Sequence, residues 1–119
     1  MKFLLASLLL AVIPAGRTDG GERFACNMNA LTKAERATHE RVAQSLLRGV
    51  QEKTELKNGY AFRLPPKALG TAAQWVALES RCCPFFTFGI EVSRNNGPVW
   101  LRITGPEGIK TFIQAELGL

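Results

Sequence analysis

The amino-acid sequence predicts a small single α+β domain, in which an antiparallel sheet is covered on one face by helices, in the order α-β-β-α-β-β-α. Three observations lead to this prediction. The chain has 119 residues and an apolar fraction of 46%, which suits one compact core. Its apolar residues recur every three or four positions in some segments and alternate in others. Turn residues such as Asn58-Gly59 separate the alternating segments, which is typical of hairpins.

The N-terminal part of the chain precedes this domain. Residues 1–16 combine the positive charge of Lys2, an apolar run from Phe3 to Ile13 and small residues after it, which is typical of a secretory signal peptide. The run is too short for a permanent membrane span, which takes about 20 residues. Residues 17–23 are polar and contain glycine, which indicates a flexible linker. We therefore expect an exported protein, periplasmic or secreted, with its domain at residues 24–119.

A capping box at Thr32–Glu35 predicts the start of the first helix, and Gly49 is its expected end. Apolar residues recur along one side of this helix at spacings of three and four. His39, the only histidine of the chain, lies at the edge of that apolar side. The helix is followed by a hairpin centred on Asn58-Gly59, which the prolines at 65–66 end.

A second helix is expected to begin near Pro66 and to end before Pro84, because proline fits the first turn of a helix but not its interior. Adjacent residues on a helix point in different directions. We therefore expect Cys82 and Cys83 to straddle the last turn, one facing the core and the other nearer the rim. One side of this helix carries Leu69, Ala73, Val76, Ser80 and Cys83, and Trp75, Leu78 and Cys82 lie about a hundred degrees round the helix from it.

Two strands and a third helix complete the predicted domain. Residues 86–93 and 99–104 alternate apolar and polar side chains, and a turn at residues 95–98 separates them, which predicts an antiparallel pair. Pro106 is expected to open the last helix, with Glu107 in its first turn. The inward-facing residues of that helix are Ile109, Phe112, Ile113 and Leu117.

Charge and motif content exclude several classes of function. Fifteen basic residues face ten acidic ones, but they are scattered, so no nucleic acid is expected as a partner. The sequence contains no phosphate loop, zinc-hydrolase pair or Ser-His-Asp order. A nucleophilic cysteine would need His39 as its base, with Glu79 or Glu91 to orient it, and nothing in the sequence brings these residues together. These observations do not favour an enzyme. If the protein has an enzymatic activity, thiol redox chemistry is the one that its residues suit best.

Three cysteines carry the candidate site: Cys26 ahead of the first helix, and Cys82 and Cys83 at the end of the second. They could be small buried hydrophobic residues, since free cysteine is often buried. A bond between the adjacent pair would be strained, because their Cα atoms lie about 3.8 Å apart across a trans peptide. A disulfide from Cys26 to either one would close a long loop and add roughly 4 kcal/mol of stability at most.

A soft-metal site is the third interpretation and the one we prefer. Thiolates are the preferred ligands of Zn(II), Cu(I) and other soft ions. We therefore predict that Cys26, Cys82, Cys83 and His39 bind a soft metal ion, such as zinc, copper or a mercury-like ion. The alternative is a thiol/disulfide redox module, or a disulfide-stapled interaction module for an unknown protein partner, with no metal.

Residues 79–85, with the sequence E-S-R-C-C-P-F, resemble a family of small, mostly uncharacterised bacterial proteins that share the signature E-x-R-C-C-P-F. The resemblance extends to G-Y-A-F at 59–62 and to I-T-G-P-E-G at 103–108, and Cys26 matches a further cysteine ahead of the first helix. Similar modules occur near or fused to metal-responsive, mercury-type regulators. The resemblance therefore implies a soft-metal or thiol-chemistry role in heavy-metal resistance or regulation.

Overall fold

The computed structural model describes residues 24–119, which form an α+β domain with the predicted order of elements. The fold class is thus confirmed. The predicted signal peptide at 1–16 and linker at 17–23 lie outside the described residues. The helices and strands, in chain order, are α1 (Lys33–Gly49), β1 (Glu52–Leu56), β2 (Gly59–Leu64), α2 (Leu69–Cys82), β3 (Thr87–Val92), β4 (Val99–Thr104) and α3 (Ile109–Leu117).

The four described strands form one antiparallel sheet in the order β1-β2-β4-β3. Each outer strand pairs with its neighbour along the chain, so both outer pairs are hairpins. The turn between β3 and β4 contains Asn95 and Asn96 with φ angles of 59° and 54°, a left-handed conformation that asparagine tolerates better than most residues. The sheet therefore combines two local hairpins with one long-range pairing between β2 and β4.

The hydrophobic core lies between one face of the sheet and the three helices. Alternate residues of the two central strands face the helices, as the alternating sequence pattern predicts. α1 contributes Val42 and Leu46, and α3 contributes Ile109 and Ile113. The residues of the central strands that belong to this core are Tyr60, Phe62, Leu64, Val99, Leu101 and Ile103.

α1 begins and ends where the sequence predicts. The Thr32 hydroxyl accepts a hydrogen bond from the Glu35 N–H at 3.1 Å, and the Glu35 carboxylate accepts one from the Thr32 N–H at 2.9 Å. This reciprocal pair satisfies two N–H groups that the helix itself leaves unpaired. In the described part of the chain, no helix is both long and apolar enough to cross a membrane.

The buried face of α2 agrees with the apolar pattern only in part. Trp75 and Cys82 are buried, whereas Ala73 and Ser80 are exposed and Leu69 is 37% exposed. The buried face also includes a glutamate, which apolar periodicity could not identify. Its residues are Ala72, Trp75, Glu79 and Cys82.

The start of α3 is also corrected by the structure. Pro106 and Glu107 lie in a turn before the helix, in which the Pro106 carbonyl accepts a hydrogen bond from the Ile109 N–H at 3.0 Å. Gly108 then caps the helix with a φ of 92°, a left-handed conformation that ends the turn. The predicted inward residues are confirmed, because Ile109 and Ile113 are fully buried and Phe112 and Leu117 pack against the core.

Candidate functional site

The segment before α1 folds back onto the end of α2, where a disulfide joins Cys26 to Cys83. The two cysteines are 57 positions apart in sequence, and their Cα atoms are 4.6 Å apart. Two hydrogen bonds hold the same segment in place. The Asn27 N–H donates to the Cys82 carbonyl at 2.7 Å, and the Arg81 guanidinium donates to the Ala30 carbonyl at 3.0 Å.

Both adjacent cysteines are fully buried, so the prediction that one of them lies nearer the rim is wrong. The reason is that the folded-back segment covers the end of α2, and Leu31 forms one buried cluster with both cysteines. Cys26 is only partly buried and is the accessible half of the disulfide. Cys82 is a free thiol, whose Sγ lies 3.6 Å from the Sγ of Cys83.

Glu79 places a carboxyl group directly beside the disulfide. It precedes Cys82 and Cys83 by three and four residues, a spacing that brings side chains together on one helix face. Its Oε1 lies 3.2 Å from the Sγ of Cys83, and its Oε2 contacts the Nε2 of His39 on α1. A disulfide sulfur carries no proton, so a hydrogen bond between Glu79 and Cys83 requires the carboxyl group to hold one.

Burial controls the protonation of this site. Glu79 is 3% exposed, and its burial raises the pKa of the carboxyl group, although the hydrogen bond with His39 opposes the shift. Burial also raises the pKa of the Cys82 thiol to about 11, and the negative charge of Glu79 adds to the effect. Without a bound cation, Cys82 is therefore a neutral thiol near pH 7.

Arg81 is not available to activate the cysteines, although it precedes them in the sequence. Its guanidinium binds both carboxylate oxygens of Glu35 on α1, at 2.6 and 3.2 Å. This hydrogen bond lowers the pKa of Glu35 to about 2. The arginine therefore joins the two helices at the surface, and its charge is a minor influence on the Cys82 thiol.

His39 connects the buried site with the surface. Its side chain is 16% exposed, whereas that of Glu79 is 4% exposed. An open groove beside His39 is lined in part by Glu40 and Glu116. A proton can therefore pass between Glu79 and solvent through the imidazole ring.

The structure brings all four sequence-predicted site residues to one end of the domain and adds Glu79 at their centre. Two groups of donor atoms each lie within 4.8 Å of one another: Cys26, Glu79 and Cys83 form one, and His39, Glu79 and Cys82 form the other. The sequence pattern suggested Glu79 only as one of two acids that could orient His39. The other, Glu91, is exposed on β3 and lies 3.9 Å from Arg102.

In comparisons with protein-family models, curated proteins and solved structures, nothing matches this chain. The resemblance to the E-x-R-C-C-P-F proteins therefore stays a prediction.

Proposed function

We propose that this protein carries out thiol–disulfide exchange with other thiols, and that Cys26–Cys83 is its redox-active disulfide. One observation carries the proposal: Glu79 contacts the Cys83 sulfur with one carboxyl oxygen and His39 with the other. A disulfide with a purely structural role has no need of a buried proton donor. Here a continuous path of polar groups leads from the sulfur to the protein surface.

The difference in burial between the two sulfurs sets the direction of attack. A dithiol, reacting as its thiolate, attacks the partly buried Cys26, because Cys83 is fully buried. The Cys26–Cys83 bond breaks, a mixed disulfide forms on Cys26, and Cys83 leaves as a thiolate. The second thiol of the dithiol then displaces Cys26. Two electrons and two protons pass to the protein, and the dithiol becomes a disulfide.

Glu79 supplies the proton that the leaving sulfur needs. Its raised pKa favours the protonated acid, and its Oε1 lies at hydrogen-bond distance from Cys83. His39 then returns a proton to Glu79 from the solvent side. In the reverse direction the same carboxylate takes the proton from the Cys83 thiol, which makes that sulfur the internal nucleophile.

The proposal is tested by the rate at which dithiothreitol reduces the disulfide at pH 7, with alkylation and mass spectrometry as the readout. Glu79→Gln should slow reduction about 100-fold, because a positioned acid contributes at least about that factor. Glu91→Gln removes an exposed carboxylate of β3 and should leave the rate unchanged. Equal rates of disulfide reduction in the wild type and Glu79→Gln would contradict the proposed role of Glu79 as the proton donor.

A second measurement separates redox activity from a structural staple. Loss of the disulfide should cost about 2–4 kcal/mol of stability in either case. A redox module, however, stays folded when reduced and forms a mixed disulfide with glutathione on Cys26 alone. A staple would hold the domain together, so the domain would unfold on reduction and glutathione would then be found on all three cysteines.

Soft-metal binding by the reduced protein is the second candidate function. It is favoured by the meeting of three sulfurs at one point, since Cys83 is bonded to Cys26 and lies 3.6 Å from Cys82. Reduction would turn them into three thiolate donors, with His39 close enough to act as a fourth through a small movement. This is the donor set that the sequence predicts.

Anaerobic titration with Cu(I) tests this second candidate. The reduced protein should bind one ion per chain, and Cys26→Ser or Cys82→Ser should weaken binding by at least about tenfold each. The oxidised protein should bind Cu(I) much more weakly, because the disulfide occupies two of the three sulfurs. Equal Cu(I) affinity of oxidised and reduced protein would exclude a three-thiolate site.

An exported location is part of the proposal. Disulfides form and persist in the periplasm and in secreted proteins, whereas cytosolic thiols are kept reduced. The resemblance to proteins linked to mercury-type regulators is compatible with both candidates, because thiophilic ions and oxidants act on the same sulfurs. Mass spectrometry of the protein from its host, with localisation by cell fractionation, would test the export prediction.

A further inference from the structure

The free thiol of Cys82 has no part in the redox cycle proposed above, although it lies fully buried beside that site. Its Sγ, a ring nitrogen of His39 and a carboxyl oxygen of Glu79 lie within 4.8 Å of one another. We propose that these three residues bind one Zn²⁺ ion while the Cys26–Cys83 disulfide stays intact. This donor set shares no sulfur with the disulfide.

The donor spacing fits a single ion. Zinc bonds of about 2.3 Å to sulfur and about 2.0–2.2 Å to nitrogen or oxygen require donor atoms within about 4.5 Å of each other. The three donor atoms lie within 4.8 Å of one another. The Nε2 of His39 and the Oε2 of Glu79 are in direct contact, so these two side chains would separate slightly to admit the ion. The three donors come from two rigid elements, with His39 on α1 and the other two on the last turns of α2, so little ordering is needed on binding.

The charge of the site also favours a divalent cation. Glu79 and Cys82 are both buried, and both become anions only at a cost in free energy. Arg81, the nearest arginine in sequence, is bound to Glu35 and does not compensate that cost. A dication would balance one carboxylate and one thiolate, and it would replace the protons that Glu79 and Cys82 otherwise hold.

The chemistry of the donors selects the metal. One sulfur, one nitrogen and one oxygen suit zinc, whereas magnesium and calcium require oxygen ligands. Three protein ligands leave a fourth zinc position for water or for a small ligand. The groove beside His39 provides an entry path from solvent, and the exposed Glu116 adds negative charge near the site.

Zinc and redox turnover would compete for the same carboxyl group. A Glu79 side chain bound to zinc holds no proton for Cys83, so the proposal predicts that zinc slows reduction of the disulfide. The binding site itself, however, does not depend on redox activity. Metal occupancy and disulfide reduction can therefore be measured independently.

Titration of the oxidised protein with Co(II) and Zn(II), in the absence of reductant, tests the site. One Co(II) ion per chain should bind with a thiolate-to-cobalt charge-transfer band, and Zn(II) should displace it. Cys82→Ala should abolish the band, and His39→Ala should weaken Zn(II) binding at least about tenfold. Glu91→Gln should change neither result. Circular dichroism of each variant verifies that it is folded.

Two results would overturn the site: a wild-type Co(II) spectrum without the sulfur band, or equal Zn(II) affinity of the wild type and Cys82→Ala. The first requires no variant, so a variant that fails to fold leaves the test intact. Failure of the zinc site would not affect the redox proposal, which is measured by Glu79→Gln in metal-free buffer. Conversely, a redox-inert disulfide would leave the Co(II) spectrum unchanged.

Discussion

Two carboxylate pairs link α1 to α2, and they have opposite properties. Glu35 and Arg81 meet at the surface with side chains 33% and 48% exposed, and the pKa of Glu35 falls to about 2. Glu79 and His39 meet beside the disulfide, and burial raises the pKa of Glu79. Where water remains, the carboxyl group is a stable anion. Where water is excluded, it becomes a group that can hold and release a proton, which is what the proposed exchange at the disulfide requires.

The largest expected difference between the two pairs is in stability. His39→Ala leaves the Glu79 carboxyl group buried without its partner and should lower the free energy of unfolding by about 3 kcal/mol. Arg81→Ala breaks the exposed pair and should have a much smaller effect, because water solvates the remaining charge. Urea denaturation at pH 7 measures both. His39→Gln keeps a donor and should recover part of the loss, and equal losses for His39→Ala and Arg81→Ala would contradict the comparison.

An intermediate effect is expected at the start of α1, where Glu35 serves both the capping box and the exposed pair. Thr32→Ala removes the hydrogen bond to the Glu35 N–H and should cost about 1 kcal/mol. Thermal unfolding followed by circular dichroism measures this cost. The rate of disulfide reduction should not change, because Glu35 does not contact the sulfurs. A slower reduction in Thr32→Ala would show that the two pairs are coupled.

The smallest expected effect is the pH dependence that the exposed pair produces. The pKa of Glu35 is lowered from 4.5 to about 2 by the hydrogen bond from Arg81. Its contribution to stability is therefore fully present above pH 4.5 and is lost as the pH falls toward 2. The stability difference between the wild type and Glu35→Gln should shrink over that range, and high salt should reduce it.

The buried pair should show the opposite sign. Because burial raises the pKa of Glu79, the folded protein loses stability as the pH rises above the ordinary carboxyl value, and Glu79→Gln should lessen that loss. His39 and Glu116 both influence this carboxyl group, so the comparison is best made with Glu79→Gln alone. The stability difference from the wild type should therefore change with pH in opposite directions for Glu35→Gln and Glu79→Gln. The same pH dependence in both variants would contradict the conclusion that burial gives the two carboxyl groups opposite pKa shifts.

Sequence reasoning succeeded where structure depends on neighbours along the chain. The Thr32–Glu35 capping box, the hairpin near Asn58-Gly59 and the two alternating strands are confirmed, because each is decided by a few adjacent residues. The hairpin turn itself is one residue earlier than predicted, since Lys57 and Asn58 form it and Gly59 is the first residue of β2. Sequence reasoning was only partly right at the buried face of α2. Apolar periodicity placed Trp75 and Cys82 about a hundred degrees from the side with Leu69 and Ser80, and the domain buries Trp75 and Cys82 together with a glutamate. A buried glutamate is tolerated only because His39 arrives from another helix.

The sequence by itself determined the fold class and the order of the elements, and it identified the three cysteines as the candidate site. Only the tertiary structure decided which cysteine Cys26 joins, which thiol stays free and which carboxyl group lies beside the sulfurs. The reason is physical. Turns and caps are local, whereas the partner of Cys83 and the environment of Glu79 depend on segments that meet only after the chain has folded.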